Sequence, residues 1–501
     1  MKIDLPLKPN TLYHGDCLDL MQKWVKTYPA GCVDLIYLDP PFNSNADYNI
    51  LYGTDQTGKP VKERAQFIAF NDTWYWSGEA AERVRNIKNA VAHRAHKAVC
   101  GLAEMLPESG MLAYLSYMAE RISVMYPLLK DTGSIYLHCD PTASHYLKTI
   151  MDCVFGVNNF RNEIVWCYTG PSGAKYNFPA KHDVILRYTK SEKWVFNVDE
   201  VRIPYKELHS DKGKGARFWG DKGKLQDEQT RRNYEARGKV PEDFWLDIPS
   251  GGHIPPSERL GYPTQKPLAL LERIIKASSN KDDLVLDPFC GCGTTAEAAW
   301  NLKRKSLGID ISPFAITRVC TDRLKNARGV SVMGLPADMQ SARDLLKAKD
   351  GAFVFEHWAI SCLEGFAPND KQTGDGGIDG RGQLLNPPVG KDGKPEKGLC
   401  LAQVKGGKPG ADALRAFLSQ ITGGAFSMGV FITLEKYDMT PTMREVVGKA
   451  GKFQPQGGTK IYDRIVFWSI EEYFRDIEAK LPEMTHPFTG KPLLQREIPS
   501  V

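Results

Sequence analysis

A carboxylate stands at the end of an apolar run in Val33-Asp34-Leu35-Ile36-Tyr37-Leu38-Asp39-Pro40-Pro41-Phe42. The run reads as a buried strand, and the two prolines as a rigid turn at its carboxyl end. Open α/β sheets bind ligands at that edge. The chemistry that suits such a group is assistance to a weak nucleophile. The exocyclic amine of a nucleobase has its lone pair delocalised into the ring. Two acceptors that take its two N–H bonds, the Asp39 carboxylate and the Pro40 carbonyl, draw the nitrogen toward a tetrahedral form. Pro41 stiffens the turn, and Phe42 offers a flat face to a base turned out of a duplex. Taken alone, the tetrapeptide also fits a plain strand-ending turn.

A second strand end lies far along the chain, in Leu284-Val285-Leu286-Asp287-Pro288-Phe289-Cys290-Gly291-Cys292-Gly293-Thr294-Thr295. Gly291 and Gly293 let the backbone approach a ligand closely. The loop lacks the third glycine of the dinucleotide fingerprint and the lysine of a P-loop, which favours a ligand without phosphates. A further strand ends at Gly308-Ile309-Asp310. An acidic residue about 20 positions past such a loop suits ribose hydroxyls. Asp287 and Asp310 thus suit the amino acid and ribose parts of S-adenosylmethionine. Its methyl group is already activated on a sulfonium, so this chemistry needs no metal and no covalent intermediate.

The elements that must position these groups alternate in type. Strands are expected at Val33–Leu38, Ser134–Cys139, Glu163–Tyr168, Val184–Tyr188, Leu284–Leu286 and Ser306–Ile309. Helices are expected at Met111–Tyr126, Ser144–Val154, Pro267–Ser278 and Thr294–Leu302. The alternation implies an α/β sheet. One further helix is expected over Glu82–Val99, with Val84, Ile87, Val91, Ala95 and Val99 on one face. Its other face carries Arg83, Arg85, Lys88, Arg94 and Lys97, as a solvated surface or as a contact for phosphates. Residues Val201–Pro255 are polar, with basic residues interleaved with Trp219, Tyr234 and Trp245 and acidic residues nearly as common. They read as an insertion ordered mainly with a partner.

Composition bounds the rest. The chain has 501 residues, 42% hydrophobic and 25% charged, with a net charge of +5. That is a soluble protein of two or three domains, with a weak hint of a polyanionic partner. No apolar run is long enough to span a membrane, and the N-terminus has no apolar signal core. The eleven cysteines show no disulfide spacing, so a reduced, cytoplasmic setting is expected. Cys290 and Cys292 have no second pair nearby, which argues against zinc.

Taken in order, these segments resemble the β-class amino-methyltransferases that act on N6 of adenine or N4 of cytosine in DNA. In that class the DPPF element precedes the glycine loop, as here. Further matches are Leu12-Tyr13-His14-Gly15-Asp16-Cys17, Gly133 to Asp140, His182 to Tyr188, and Tyr262-Pro263-Thr264-Gln265-Lys266-Pro267. The resemblance covers roughly residues 10–325. It implies a Rossmann-like methyltransferase sheet, S-adenosylmethionine as cofactor and double-stranded DNA as partner. It places Asp39, Pro40, Pro41 and Phe42 at the catalytic site. Asp16 would approach the cofactor's adenine, and Thr264, Gln265 and Lys266 would line its methionine end, beside Asp287, Phe289, Gly291, Gly293 and Asp310. Asp at the first position of the motif favours adenine, since N4-cytosine enzymes tend to carry Ser there. Relatives of the class often dimerise, which leaves monomer and homodimer both open.

After about Asn326 a second α/β pattern begins. Helices are expected at Phe353–Leu363, Ala411–Ile421 and Pro441–Ala450, and strands at Leu399–Val404, Gly429–Leu434 and Arg464–Ser469. Here Gly374-Asp375-Gly376-Gly377-Ile378-Asp379-Gly380 precedes Gln403-Val404-Lys405 on an apolar strand, with Glu356 on the helix upstream. An acidic residue, and a second ligand two before a lysine, could hold a divalent ion that activates water. This resembles the Mrr-like branch of the PD-(D/E)XK nucleases, with Gln where Glu is usual. By that resemblance Asp379, Gln403 and Lys405 carry catalysis, Glu356 supports it, and Asp379 and Gln403 ligate Mg²⁺. The neutral Gln also fits a nuclease fold kept only for DNA binding. The expected division is a catalytic domain over 1–330, with insertions at about 195–258 and 52–109, a linker over 331–350, and a restriction-endonuclease-like domain over 351–501. Three functions fit: a fused restriction–modification enzyme, a methyltransferase whose second domain only binds DNA or a partner, and a DNA-binding protein with both sites silent.

Overall fold

The computed structural model describes residues 6–41, 47–51, 66–71, 74–168, 170, 174–204, 236–260, 262, 264–348, 351–369, 377–390, 393, 396, 398–422, 426–487, 490 and 492–493. Phe42, Trp219, Tyr234 and Gly374-Asp375-Gly376 lie outside them.

The apolar run before Asp39 is strand β2 (Val33–Leu38), next in the chain to β1 (Thr11–His14). There follow β3 (Asp47–Leu51), β4 (Gln66–Asn71), β5 (Leu129–Cys139), β6 (Phe160–Cys167), β7 (His182–Thr189) and β8 (Phe244–Trp245). Then come β9 (Leu284–Asp287), β10 (Lys305–Asp310) and β11 (Ser331–Met333). Nine of these form one sheet in the order β11-β1-β10-β9-β2-β5-β7-β6-β8, while β3 and β4 pair with each other. From β11 to β5 all neighbours are parallel; β5–β7 and β7–β6 are antiparallel. Period-2 alternation splits β2 between two cores: Ile36 and Leu38 face one, Leu35 and Tyr37 the other. Both faces are covered by helices, which is why the run is apolar without a break.

The expected strands and helices are present, with ends moved by a few residues. The helix expected over Glu82–Val99 is instead two, Gly78–Asn89 and His96–Met105. The first ends where Ala90 N–H closes onto Asn86 and Ile87 carbonyls, and His96 Nδ1 lies 3.0 Å from the Ile87 carbonyl. Val91, expected on the apolar face, is exposed in the turn between them. Val84, Ile87, Ala98, Val99 and Leu102 join the main core, so residues 78–105 pack against the sheet's helices. Three residues of the expected phosphate-contacting face are used internally. Arg83 pairs with Glu120, Lys88 with Glu104, and Arg94 lies over the Tyr126 ring.

The expected linker is also structured. Residues 331–333 form edge strand β11, and Met339–Lys347 is a helix capped by Asp338 and Ser341. The second sheet comprises β12 (Phe366–Pro368), β13 (Gly380–Gln383), β14 (Leu399–Lys405), β15 (Met428–Thr433) and β18 (Ile465–Ser469), in that order. The short pair β16 (Lys452–Phe453) and β17 (Tyr462–Asp463) stands apart. Helix Gly351–Ser361 covers one face of the sheet, and helices Ala411–Thr422 and Pro441–Ala450 the other. All eleven cysteines are free, and no helix among the described residues is long and apolar enough to cross a membrane.

Candidate active site

Parallel register brings distant strand ends together. Ile36 pairs with Leu286, and Leu286 with Leu307. The residues that follow β2, end β9 and end β10 therefore share one edge: Asp39, Asp287 and Asp310. Lys266, from the turn before helix Leu268–Ser278, puts its Nζ 2.7 Å from Asp39 Oδ2 and 3.0 Å from Oδ1. Pro40 is buried and Pro41 half-buried behind them.

A buried network backs Asp39. His138 of β5 is fully buried, with Nδ1 4.0 Å from Asp39 Oδ1. Its Nε2 lies 3.0 Å from Asp183 Oδ2 on β7, and its Nδ1 lies 2.9 Å from the Tyr37 hydroxyl. Tyr168 donates to the other Asp183 oxygen at 3.1 Å. Burial pushes the Asp183 carboxyl up, but the His138 and Tyr168 hydrogen bonds and the Lys266 charge outweigh it, and it lies below the usual range. Burial, with the charges of Asp39, Asp287 and Asp183, pushes Tyr37 well above its ordinary value, so it stays a neutral hydrogen-bonding group.

The glycine loop is shaped by its own carboxylates. Asp287 accepts the Phe289 N–H at 3.0 Å and the Thr295 hydroxyl at 2.5 Å. Asp310 accepts the N–H of Gly291 at 2.9 Å and of Ser312 at 2.8 Å. Gly293 has φ +77, which favours glycine, and a Cβ there would be tight, 3.1 Å from Cys320 Sγ. Phe289 is half-buried against the core. Burial, reinforced by Asp39 and Asp310, pushes Asp287 up to about 7. Burial raises Asp310 as well. Three carboxylates with Lys266 as their close cation make an edge suited to a positively charged ligand.

Other expected site residues have structural duties. Asp16 caps helix Cys17–Thr27 through the Leu18 N–H at 2.8 Å and pairs with buried Arg121 at 2.7 Å. Its charge is therefore spent within the fold, next to β10. Gln265 bonds the Leu260 N–H and the Glu258 carbonyl and so pins its turn. Thr264 has φ +59, a strained state for a β-branched residue, and such strain collects at functional turns. His138, Asp183, Tyr37 and Tyr168 were not singled out from sequence. The available signal was a histidine inside an otherwise apolar strand, with Asp183 opening another. Tyr176 and Phe178, 95% and 100% exposed, stand with Lys175 and Lys181 in the stretch leading into β7 at this same edge.

The second constellation is local. Asp379 immediately precedes β13, donates its N–H to Ala402 and accepts the Val404 N–H at 2.7 Å. Gln403 and Lys405 share one face of β14 beside it. Gln403 is buried, and its Oε1 has no hydrogen-bond partner among the described residues. Glu356 is on helix Gly351–Ser361, which packs on β12 and β14. Among the described residues no cluster of three His, Cys, Asp or Glu side chains could hold a metal.

Known proteins match the first region. The chain is 34% identical over 200 residues to type II methyltransferase M.HpaI of Haemophilus parainfluenzae, covering 40% of this chain and 56% of that one. It is 33% identical over 207 residues to type II methyltransferase M1.MboII of Moraxella bovis, covering 40% and 75%. It is 28% identical over 309 residues to the DNA adenine methyltransferase YhdJ of Escherichia coli K12, covering 60% and 78%. The chain thus spans little more than half the length of the first of these relatives. Residues 33–319, more than half of the 501, match the model of the N6_N4_Mtase family, described as DNA methylase, and this chain belongs to that family.

Proposed function

We propose that this chain transfers the methyl group of S-adenosylmethionine to an exocyclic amine in double-stranded DNA, and that the amine is N6 of adenine rather than N4 of cytosine. The observation that carries the reading is the shared edge: Asp39, held by Lys266, beside the carboxylate-shaped loop of Asp287 and Asp310. The excess negative charge there fits the positively charged methionine end of the cofactor, and Asp287, Asp310 and the Gly291–Gly293 loop would hold it. When bound, the cofactor supplies a methyl group on a positively charged sulfur. Asp39 accepts one N–H of the base amine and the Pro40 carbonyl the other, which exposes the nitrogen lone pair. Lys266 fixes the Asp39 carboxylate, and the His138–Asp183 pair supports it from below. The proton released by the amine passes to Asp39. Tyr176 and Phe178, flanked by lysines, offer stacking and phosphate contacts to DNA at the rim. Asp at the head of the Asp-Pro-Pro turn supports adenine, as does the likeness to an enzyme named for adenine.

Expression in a methylation-free host, followed by sequencing that reads modified bases, tests this. N6-methyladenine within one short motif is the expected result. Modification at cytosine N4 would correct the base, and unmodified DNA would sink the proposal.

A second reading, for the C-terminal sheet, is Mg²⁺-dependent DNA cleavage that completes a restriction–modification protein. It is favoured by the buried, unpartnered Gln403 Oε1 next to Asp379 and Lys405. A neutral amide and one carboxylate, with water completing the shell, suit Mg²⁺. Unmethylated plasmid with Mg²⁺ should be cut by the wild type and left intact by Asp379→Ala. Plasmid left intact by the wild type would reduce this sheet to a binding module.

A further inference from the structure

On the sheet face covered by helix Leu268–Ser278 lies a cavity of about 380 Å³. That is within the size range of small-molecule sites, about 300–1,000 Å³. Arg187 of β7 lines it and is only 5% exposed. Its Nη1 reaches Asn162 Oδ1 at 3.5 Å, but its Nε and Nη2 meet no acceptor among the described residues. Those two nitrogens form the side-on edge of the guanidinium, whose parallel N–H bonds match the two oxygens of a carboxylate or phosphate. A buried guanidinium with that edge unmet is costly, so the site is built for an occupant.

The surroundings specify the occupant. Arg161 lines the same cavity and spends its donors on the Thr189 hydroxyl and on the Asn158 and Ser191 carbonyls, so that only the Glu192 carboxylate, outside the lining, acts against its charge. Of the other charged lining groups, Arg273 is paired with Asp247 and Glu242 with Lys239, which leaves exposed Asp243 against two arginines. The net charge is positive. The rest of the wall is largely apolar, with two rings beside the arginines: the Phe196 ring lies 4.6 Å from the Arg187 guanidinium, and the Trp194 ring 3.8 Å from that of Arg161. Arg187 is four residues along β7 from Asp183, roughly 13 Å, with buried Ile185 between them. The cavity is therefore separate from the Asp39 edge.

We propose that this cavity binds a small molecule bearing a carboxylate or phosphate on a flat aromatic body, with its oxyanion on the Nε–Nη2 edge of Arg187 and its ring against Trp194 and Phe196. Two of its walls, residues 194–201 and 240–245, are the stretches on either side of residues 205–235. An occupant ties both to the sheet.

The test uses the full chain saturated with S-adenosylhomocysteine, which fills the cofactor position; nucleotide binding where the target base would sit is recognised because it survives Arg187→Gln. Four probes are titrated separately by calorimetry: adenosine 5′-monophosphate, indole-3-acetate, adenosine and inorganic phosphate. Either or both of the first two should bind, the one distinguishing a phosphate-bearing ligand from the other's carboxylate. Adenosine and phosphate, each lacking half of the recognised chemistry, should bind at least tenfold more weakly. Arg187→Gln should weaken the bound probe tenfold or more. Phe196→Ala, which leaves the guanidinium in place, should weaken it about threefold to tenfold and covers the case in which Arg187→Gln fails to fold. The proposal is overturned if neither aromatic anion binds the wild type, or if binding is unchanged in both variants. It does not depend on methyl transfer, which is read separately by modified-base sequencing.

Discussion

At the edge of the nine-stranded sheet, the groups around Asp39 come from β2, β5, β7 and the turn ahead of helix Leu268–Ser278, so Asp39 and Lys266 meet across 227 positions. At the edge of the five-stranded sheet, Asp379 and its neighbours come from two adjacent strands 25 positions apart. The first site is closed in its hydrogen bonding: Asp39 has Lys266, and His138 has a partner on each ring nitrogen. The second holds a buried amide oxygen without a partner. A closed network holds its groups in place by itself. An open one leaves a buried polar atom unsatisfied, at a cost to folding. The two regions differ in how much of the site the protein supplies by itself.

Asp39→Ala is the sharpest way to probe that contrast. It should lower methyl transfer by about 10²- to 10⁴-fold, the range for a removed proton acceptor, while cofactor affinity stays within about threefold. Tritium transfer and calorimetry on one preparation read both numbers. Plasmid cutting by the same variant should equal that of the wild type; joint loss would mean that the two sites are not independent.

Asp16→Ala should cost about 3 kcal/mol, because it removes a helix cap and leaves buried Arg121 without its carboxylate. Denaturant unfolding measures it. A loss under about 1 kcal/mol would return Asp16 to the cofactor-contact role expected from sequence.

Asp287 gives a pH signature. Its folded-state value near 7 lies above the ordinary 3.8, so its contribution to stability is complete below about pH 4 and is lost as pH rises through 7. A cationic ligand prefers the ionised form. Binding below pH 7 should therefore release a proton, and affinity should rise with pH by up to about tenfold per unit until it levels off. Calorimetry in two buffers of different ionisation enthalpy reads the proton, and Asp287→Asn should abolish it.

The smallest effect contrasts the two sites in stability. Lys266→Met should cost about 1–3 kcal/mol by leaving the Asp39 carboxylate without its cation, whereas Gln403→Leu should cost less than about 1 kcal/mol because its oxygen is already unsatisfied. Equal costs would erase the distinction between closed and open sites.

The strand ends were legible because they are local: apolar runs that stop at Asp39, Asp287 and Asp310 announce themselves without any knowledge of the fold. The glycine loop was legible for the same reason. What joins them was not. His138 looks like a core residue until β7 brings Asp183 against it, and nothing near Lys266 in sequence points to Asp39. The break at residues 90–95 was hidden because Ala95 and Val99 keep helical spacing across it, so periodicity alone runs straight through. The helix at Met339–Lys347 was readable from its Asp338–Ser341 cap, but the polar surroundings masked it. Asp16 shows the opposite limit: its motif position suggested a ligand contact, whereas its place after β1 makes it a helix cap first.

The most direct measurement is a crystal structure with S-adenosylhomocysteine bound. The account predicts its amino group against Asp287, its ribose toward Asp310, and its sulfur a few ångströms from the Asp39 carboxylate. A ligand seated anywhere that leaves Asp39 remote from the sulfur would contradict it.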